Sequence, residues 1–142
     1  MKRGEHSEHD DLLKGTATVD HSTTSVSSPE LLHAGFDEMA VAKPDAIALR
    51  MNDQSISYGE LYRRTNRLAN ALLAAGTTSE DIVAVCMERS IERFVALLAI
   101  LKSGAAYVPL DSDHPIERLR FVLSDIDASF VLVDDTGRGA LP

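Results

Sequence analysis

The segment IVAVCMERSIERFVALLAILKSGAAYVPL, residues 82–110, decides the fold. Ile82 to Met87 is apolar without polar alternation, the pattern of a strand buried on both faces. Ser90 is placed to cap a helix running to Ser103. Its apolar residues (Ile91, Phe94, Val95, Leu97, Leu98, Ile100 and Leu101) leave little polar face, so it needs cover on more than one side. Gly104 ends the helix, because glycine enters the left-handed region without strain. Ala106 to Leu110 is a second strand, and Pro109 places its end or a sheet edge there. Pro115 starts a helix through Leu123, since proline suits a first helical position. Ser129 to Val133 is a third strand. Apolar strands alternating with helices imply a parallel βαβαβ unit with right-handed crossovers, and the fold class is α/β.

Upstream, Glu30 to Lys43 carries Leu31, Leu32, Phe36, Met39 and Ala40 at helical spacing, and Pro44 ends it. His33 lies close to that stripe and reads as a packed surface histidine. Ala46 to Arg50 and Gln54 to Ser57 flank Asn52-Asp53, residues that tolerate the positive φ of a tight hairpin. Ser57-Tyr58-Gly59-Glu60 has capping-box spacing, predicting reciprocal bonds from the Ser57 hydroxyl and the Glu60 carboxylate. The helix that follows puts Leu61, Leu68, Leu72 and Ala75 on one face and Arg63, Arg64 and Arg67 towards solvent, with Gly76 as its stop. A helix and a short antiparallel hairpin thus precede the parallel unit.

Residues 1–28 contain no aromatic residue and a Ser/Thr cluster from Ser22 to Ser28. Too little apolar surface is present to offset ordering entropy, so a disordered leader is expected. His6, His9 and His21, with Asp10 and Asp11, lie in it without the supporting shell that a metal site needs. The remainder, 29–142, reads as one unit.

Across 142 residues the formal net charge is -8, with 44% hydrophobic and 25% charged residues. Such a chain offers no basic stripe to displace counterions from phosphate, which argues against a nucleic-acid partner. Lys2-Arg3 precedes Gly4, Glu5 and His6 rather than an apolar signal core, and apolar runs are too short for a membrane span. A cytoplasmic setting is expected. Cys86, the single cysteine, reads as a small core residue.

Two stretches carry a family resemblance. Ser57-Tyr58-Gly59-Glu60-Leu61 with Asn66-Arg67-Leu68-Ala69 is similar to the first core motif of the adenylation domains of nonribosomal peptide synthetases, L-T-Y-x-E-L. Leu101-Lys102-Ser103-Gly104-Ala105-Ala106-Tyr107-Val108-Pro109-Leu110-Asp111 is similar to the second, L-K-A-G-x-A-Y-V-P-I-D. Pro115, Glu117, Arg118 and Leu119 continue it, whereas His114 stands where tyrosine is common and Ser112 where proline is. The resemblance spans roughly 31–134 and favours the amino-acid-activating branch of the AMP-dependent synthetase/ligase superfamily over acyl-CoA ligases.

This resemblance implies a partial N-terminal subdomain of the adenylate-forming fold. The complete enzyme would use ATP and Mg to convert an amino acid to an aminoacyl-AMP. It would then load the acyl group onto a carrier-protein phosphopantetheine thiol. The family's phosphate loop, ribose aspartate, substrate-pocket aspartate and late lysine have no counterpart here. The chain alone is therefore expected to be inactive, with no catalytic, cofactor-binding or metal residue and no cofactor of its own. Thr136-Gly137-Arg138-Gly139 lacks the Ser/Thr/Gly run and lysine of a phosphate loop and reads as a surface turn. Asp111, just past a strand's carboxyl end, reads as a cap or loop hydrogen-bonder. Glu88, Arg89 and Glu92 are candidates to line the same edge. The expected partners are the rest of the domain and a carrier protein. The alternatives are a non-catalytic docking subdomain that completes a split enzyme, or a piece of an acyl-CoA ligase-like relative.

Overall fold

In the computed structural model, which describes residues 33–142, the strand Ile82–Cys86 lies at the centre of a three-stranded parallel sheet. Val83, Ala84, Val85 and Cys86 are fully buried, as a strand without polar alternation demands. In chain order the elements are α1 (Ala34–Ala42), β1 (Ile47–Met51), β2 (Gln54–Ser57), α2 (Tyr58–Ala74), β3 (Ile82–Cys86), α3 (Ile91–Lys102), β4 (Ala106–Leu110), α4 (Ile116–Asp125), β5 (Phe130–Val133) and α5 (Asp135–Ala140). β3 pairs in parallel with β4, Val85 opposite Pro109, and with β5, Val85 opposite Leu132.

The sheet order is β4-β3-β5, so the chain steps from the centre to one edge and then crosses back to the other. Right-handed crossovers travelling in opposite directions put their helices on opposite faces. The two cores agree. Val83 and Val85 pack with Ala69 and Leu72 of α2 and Ala99 and Ile100 of α3. On the other face Ala84 and Cys86 pack with Leu110 and with Leu119 of α4. A third cluster, Ile56, Leu61, Ile91 and Val95, seats the β1–β2 hairpin and Phe36 of α1 against α2 and α3.

Local signals explain most boundaries. Asn52 turns the antiparallel hairpin at φ 53, and Gly76 and Gly104 stop α2 and α3 at φ 99 and 87. The Ser90 hydroxyl accepts the Arg93 amide at 3.1 Å and fixes the start of α3. Pro109 lies within β4, an edge strand.

Several expectations need correction. The capping box is half-formed: Ser57 Oγ accepts the Glu60 amide at 3.3 Å, but the Glu60 carboxylate turns to Arg63 and Arg64. Two guanidiniums one turn away are stronger, charge-assisted partners than a backbone amide. Ala75 is the exposed C-cap of α2, and Thr65 and Ala69 complete the buried face with Leu61 and Leu72. Thr65 is tolerated there because its hydroxyl donates to the Leu61 carbonyl at 2.6 Å. Pro115 is the N-cap of α4, so the helix begins at Ile116, one residue later than read, and it continues to Asp125. Thr136 to Gly139 belongs to α5, not to a surface turn. The described part of the first helix begins at Ala34. Glu30, Leu31 and Leu32, together with the expected leader and His6, His9 and His21, lie outside the described residues.

Candidate functional site

After β3 the chain turns to α3 on one face of the sheet, and after β4 to α4 on the other. Diverging connections at adjacent strand ends open a crevice at the carboxyl edge, the place where parallel α/β sheets take ligands. Here a solvent-open cleft of about 680 Å³ lies between the Met87–Arg89 loop and the Asp111–Asp113 loop.

Glu88, Arg89 and Arg93 line this cleft together with Asp111 and Asp113. The Asp111 carboxylate accepts the Asp113 amide at 3.0 Å, and its carbonyl accepts the His114 amide at 3.1 Å. Asp111 therefore builds its own loop, as read from its position. Arg93 donates to the Met87 carbonyl at 3.3 Å, and Ser90 Oγ donates to the Glu88 carbonyl at 3.3 Å, so the β3–α3 loop is pinned from α3. Glu88 and Arg89 do line the edge. Glu92 does not: it points into a second groove and pairs with Arg64 at 3.6 Å.

Asp134 was not singled out from the sequence, yet it ties the crevice to β5. One carboxylate oxygen caps α5 through the Gly137 amide at 2.7 Å, and the other accepts the Glu88 amide at 2.8 Å. An aspartate three residues before an amide in need of a partner is an N-cap signal that the sequence does contain. The bonds from Gly137 and Glu88 hold the Asp134 carboxyl below its ordinary value of 3.8. The folded chain thus binds this proton less tightly than the unfolded chain. The stabilisation is present above the ordinary value and is lost as the pH falls through the depressed folded value. An NMR titration of the Asp134 carboxyl carbon should show a midpoint below 3.8. Asp134→Asn should speed exchange of the Glu88 and Gly137 amides and flatten the acid limb of the melting curve. An unshifted midpoint would contradict this arrangement.

Burial, then the charges of Asp134 and Asp111, push the Cys86 thiol up, which keeps it protonated and unreactive. Arg63, Arg64 and Arg67 are exposed on α2, a solvated face as read. Among the described residues no three His, Cys, Asp or Glu side chains are grouped to hold a metal ion. Nor, among them, is any helix long and apolar enough to cross a membrane. The crevice places fixed charges of both signs around a strand edge, on loops held by backbone hydrogen bonds.

This parallel sheet, led in by a helix and hairpin and opening a crevice after β3 and β4, is the N-terminal part of the adenylate-forming fold. The AMP-binding enzyme profile matches residues 36–141, and the chain belongs to that family. It is 44% identical over 124 residues to Malpinin synthetase of Mortierella alpina, covering 87% of this chain and 2% of that protein. Against Tyrocidine synthase 1 of Brevibacillus parabrevis it is 41% identical over 112 residues, 79% of this chain and 10% of that one. The N-terminal subdomain of Klebsiella oxytoca NpsA, solved in complex with anthranilyl-AMSN, superposes with a TM-score of 0.68 at 36% identity. That match covers 75% of this chain and 27% of the NpsA chain. The chain therefore spans a small share of each of these relatives and corresponds to an N-terminal piece of a nonribosomal peptide synthetase adenylation domain.

Proposed function

We propose that residues 29–142 frame the N-terminal subdomain of an amino-acid-activating adenylation domain and supply no catalytic group of their own. In the complete domain an amino acid and MgATP give an aminoacyl-AMP and pyrophosphate. The acyl group then passes to the phosphopantetheine thiol of a carrier protein, in a cytoplasmic setting. One observation carries this reading: identity above 40% to peptide synthetases over about four fifths of the chain, confined to a stretch that is 10% or less of each of those proteins. The motif residues support it through what they build. Leu101 to Gly104 close α3, Ala106 to Leu110 form β4, and Asp111 shapes the crevice loop. A phosphate cradle of backbone amides and a lysine against the developing charge are what the reaction requires. In the family that the chain resembles these groups lie further along the sequence, so ATP and Mg would be held by the remainder of the domain.

The test is amino-acid-dependent exchange of pyrophosphate into ATP. The purified chain should show none above a no-enzyme control, and a covalent fusion to the remainder of a related adenylation domain should show it. Exchange by the chain alone would overturn the frame reading, and a well-folded fusion without exchange for any amino acid would overturn the family activity.

A further inference from the structure

Beyond β4 the chain changes character. Among the described residues, Leu119 is the only buried apolar side chain after Leu110. Val122, Leu123 and Val133 are only partly buried against Ala84 and Cys86, as are Phe130 and Leu132 on the opposite face of the sheet. Few buried apolar contacts place a segment at the low end of local stability. Besides the β3–β5 ladder, two carboxylates hold this segment, one at each end of that strand pair. Asp81, the residue before β3, accepts the Ser129 hydroxyl on one oxygen. Its other oxygen accepts the Thr78 amide and hydroxyl, each at 2.7 Å. Asp134, the residue after β5, accepts the Glu88 amide at 2.8 Å and the Gly137 amide at 2.7 Å. Among the described residues, no other side-chain hydrogen bond and no ion pair links the chain after Leu110 to the chain before it.

We propose that α4, β5 and α5 form a flap, clasped to β3 by Asp81 and Asp134, which opens as one unit while residues 33–110 stay folded. The hinge is the loop after β4. Its hydrogen bonds are local, with the Asp113 and His114 amides both donating to Asp111, so it can absorb the backbone change of opening. The flap also bears on the crevice. Asp134 holds the Glu88 amide, so opening frees the Met87–Arg89 wall from β5. By linkage, whatever fixes that wall favours the closed flap to the same degree.

Native-state amide exchange of the full chain in low urea is the test. Amides of α4, β5 and α5 should share one opening equilibrium, populated about tenfold or more above that of α2 and α3. Ser129→Ala, at an exposed position, removes only the Asp81 bond that crosses to β5. It should speed exchange about fivefold across all three elements, as loss of a hydrogen bond to an exposed carboxylate implies. That rise must include the Arg138 and Leu141 amides of α5, at the opposite end of the sheet. Asp134→Asn, with one accepting oxygen in place of two, should act from the other end and reach the Ile126 amide that closes α4. In both variants α2 and α3 should hold their rates. A rise confined to amides beside each substitution would show local fraying and overturn the flap. So would an equal rise in α2 and α3, separate opening equilibria for α4 and α5, or no rise at all.

Discussion

Gly137→Ala is expected to unseat α5 and cost about 3 kcal/mol, the upper end for overpacking a close contact. A Cβ at this position would stand 1.7 Å from the Cys86 carbonyl oxygen and 2.7 Å from its carbon. The obstacle is the backbone of the central strand, which no rotamer change can move aside. Relief must come from α5, and moving α5 pulls the Gly137 amide off Asp134 and loosens the Glu88 bond on the same carboxylate. For a folded unit of this size the loss corresponds to a melting point lower by roughly 10–20 °C. Gly139→Ala is the control: nothing lies within 4 Å of its Cβ position. In that variant the better helix propensity of alanine should leave stability unchanged or raise it by up to about 1 kcal/mol. Thermal unfolding of both variants by circular dichroism decides the matter. Equal melting points for Gly137→Ala and the wild-type chain would refute the close approach.

The same glycine shows where reading the chain by local pattern stops. Two glycines in the six residues of α5 depress helix propensity, so Thr136 to Gly139 reads as a turn. What makes the helix is the Asp134 cap and a contact with a strand far upstream. Neither registers in periodicity. By contrast β3 is legible because an interior parallel strand must be apolar on both faces. Ser57 and Ser90 are legible because a cap and its amide are three residues apart. The family motif from Leu101 to Asp111 is legible because it is contiguous. Strand order was not, since hydrophobic runs carry no information about which neighbour they choose. Glu92 shows how sharp helical phase is: Arg93, about 100° further round α3, reaches the crevice, while Glu92 turns to the opposite groove.

Lys102 is the remaining feature that no local pattern discloses, and its removal carries the second large expected effect. It ends α3, where a lysine suits the helix dipole and would ordinarily extend into water. Its side chain is only 7% exposed. The ammonium pairs with the Asp37 carboxylate of α1 and donates to Asn66 Oδ1 of α2 at 2.8 Å. It lies 4.3 Å from the Tyr62 ring centre and 5.4 Å from that of Phe36. One charge thereby holds three helices together. Truncating one partner of a buried pair typically costs about 3–5 kcal/mol. The Asp37 side chain is 36% exposed, so water recovers part of its solvation and the figure should be discounted. Lost cation–π attraction to Tyr62 restores about 1 kcal/mol of it. Lys102→Met keeps the apolar stem and removes only the charge, so about 2–3 kcal/mol is expected, read as a lower urea midpoint at unchanged slope. Lys102→Arg should not rescue it fully, because a planar fork does not fit a box shaped for a compact ammonium. Asp37→Asn in the Lys102→Met background should cost less than it does alone, since the carboxylate has then already lost its partner. Amide exchange should rise first in α1, the element that the charge ties down. A Lys102→Met chain within about 0.5 kcal/mol of wild type, a margin typical of unconnected surface changes, would show that aromatic packing alone holds α1 in place.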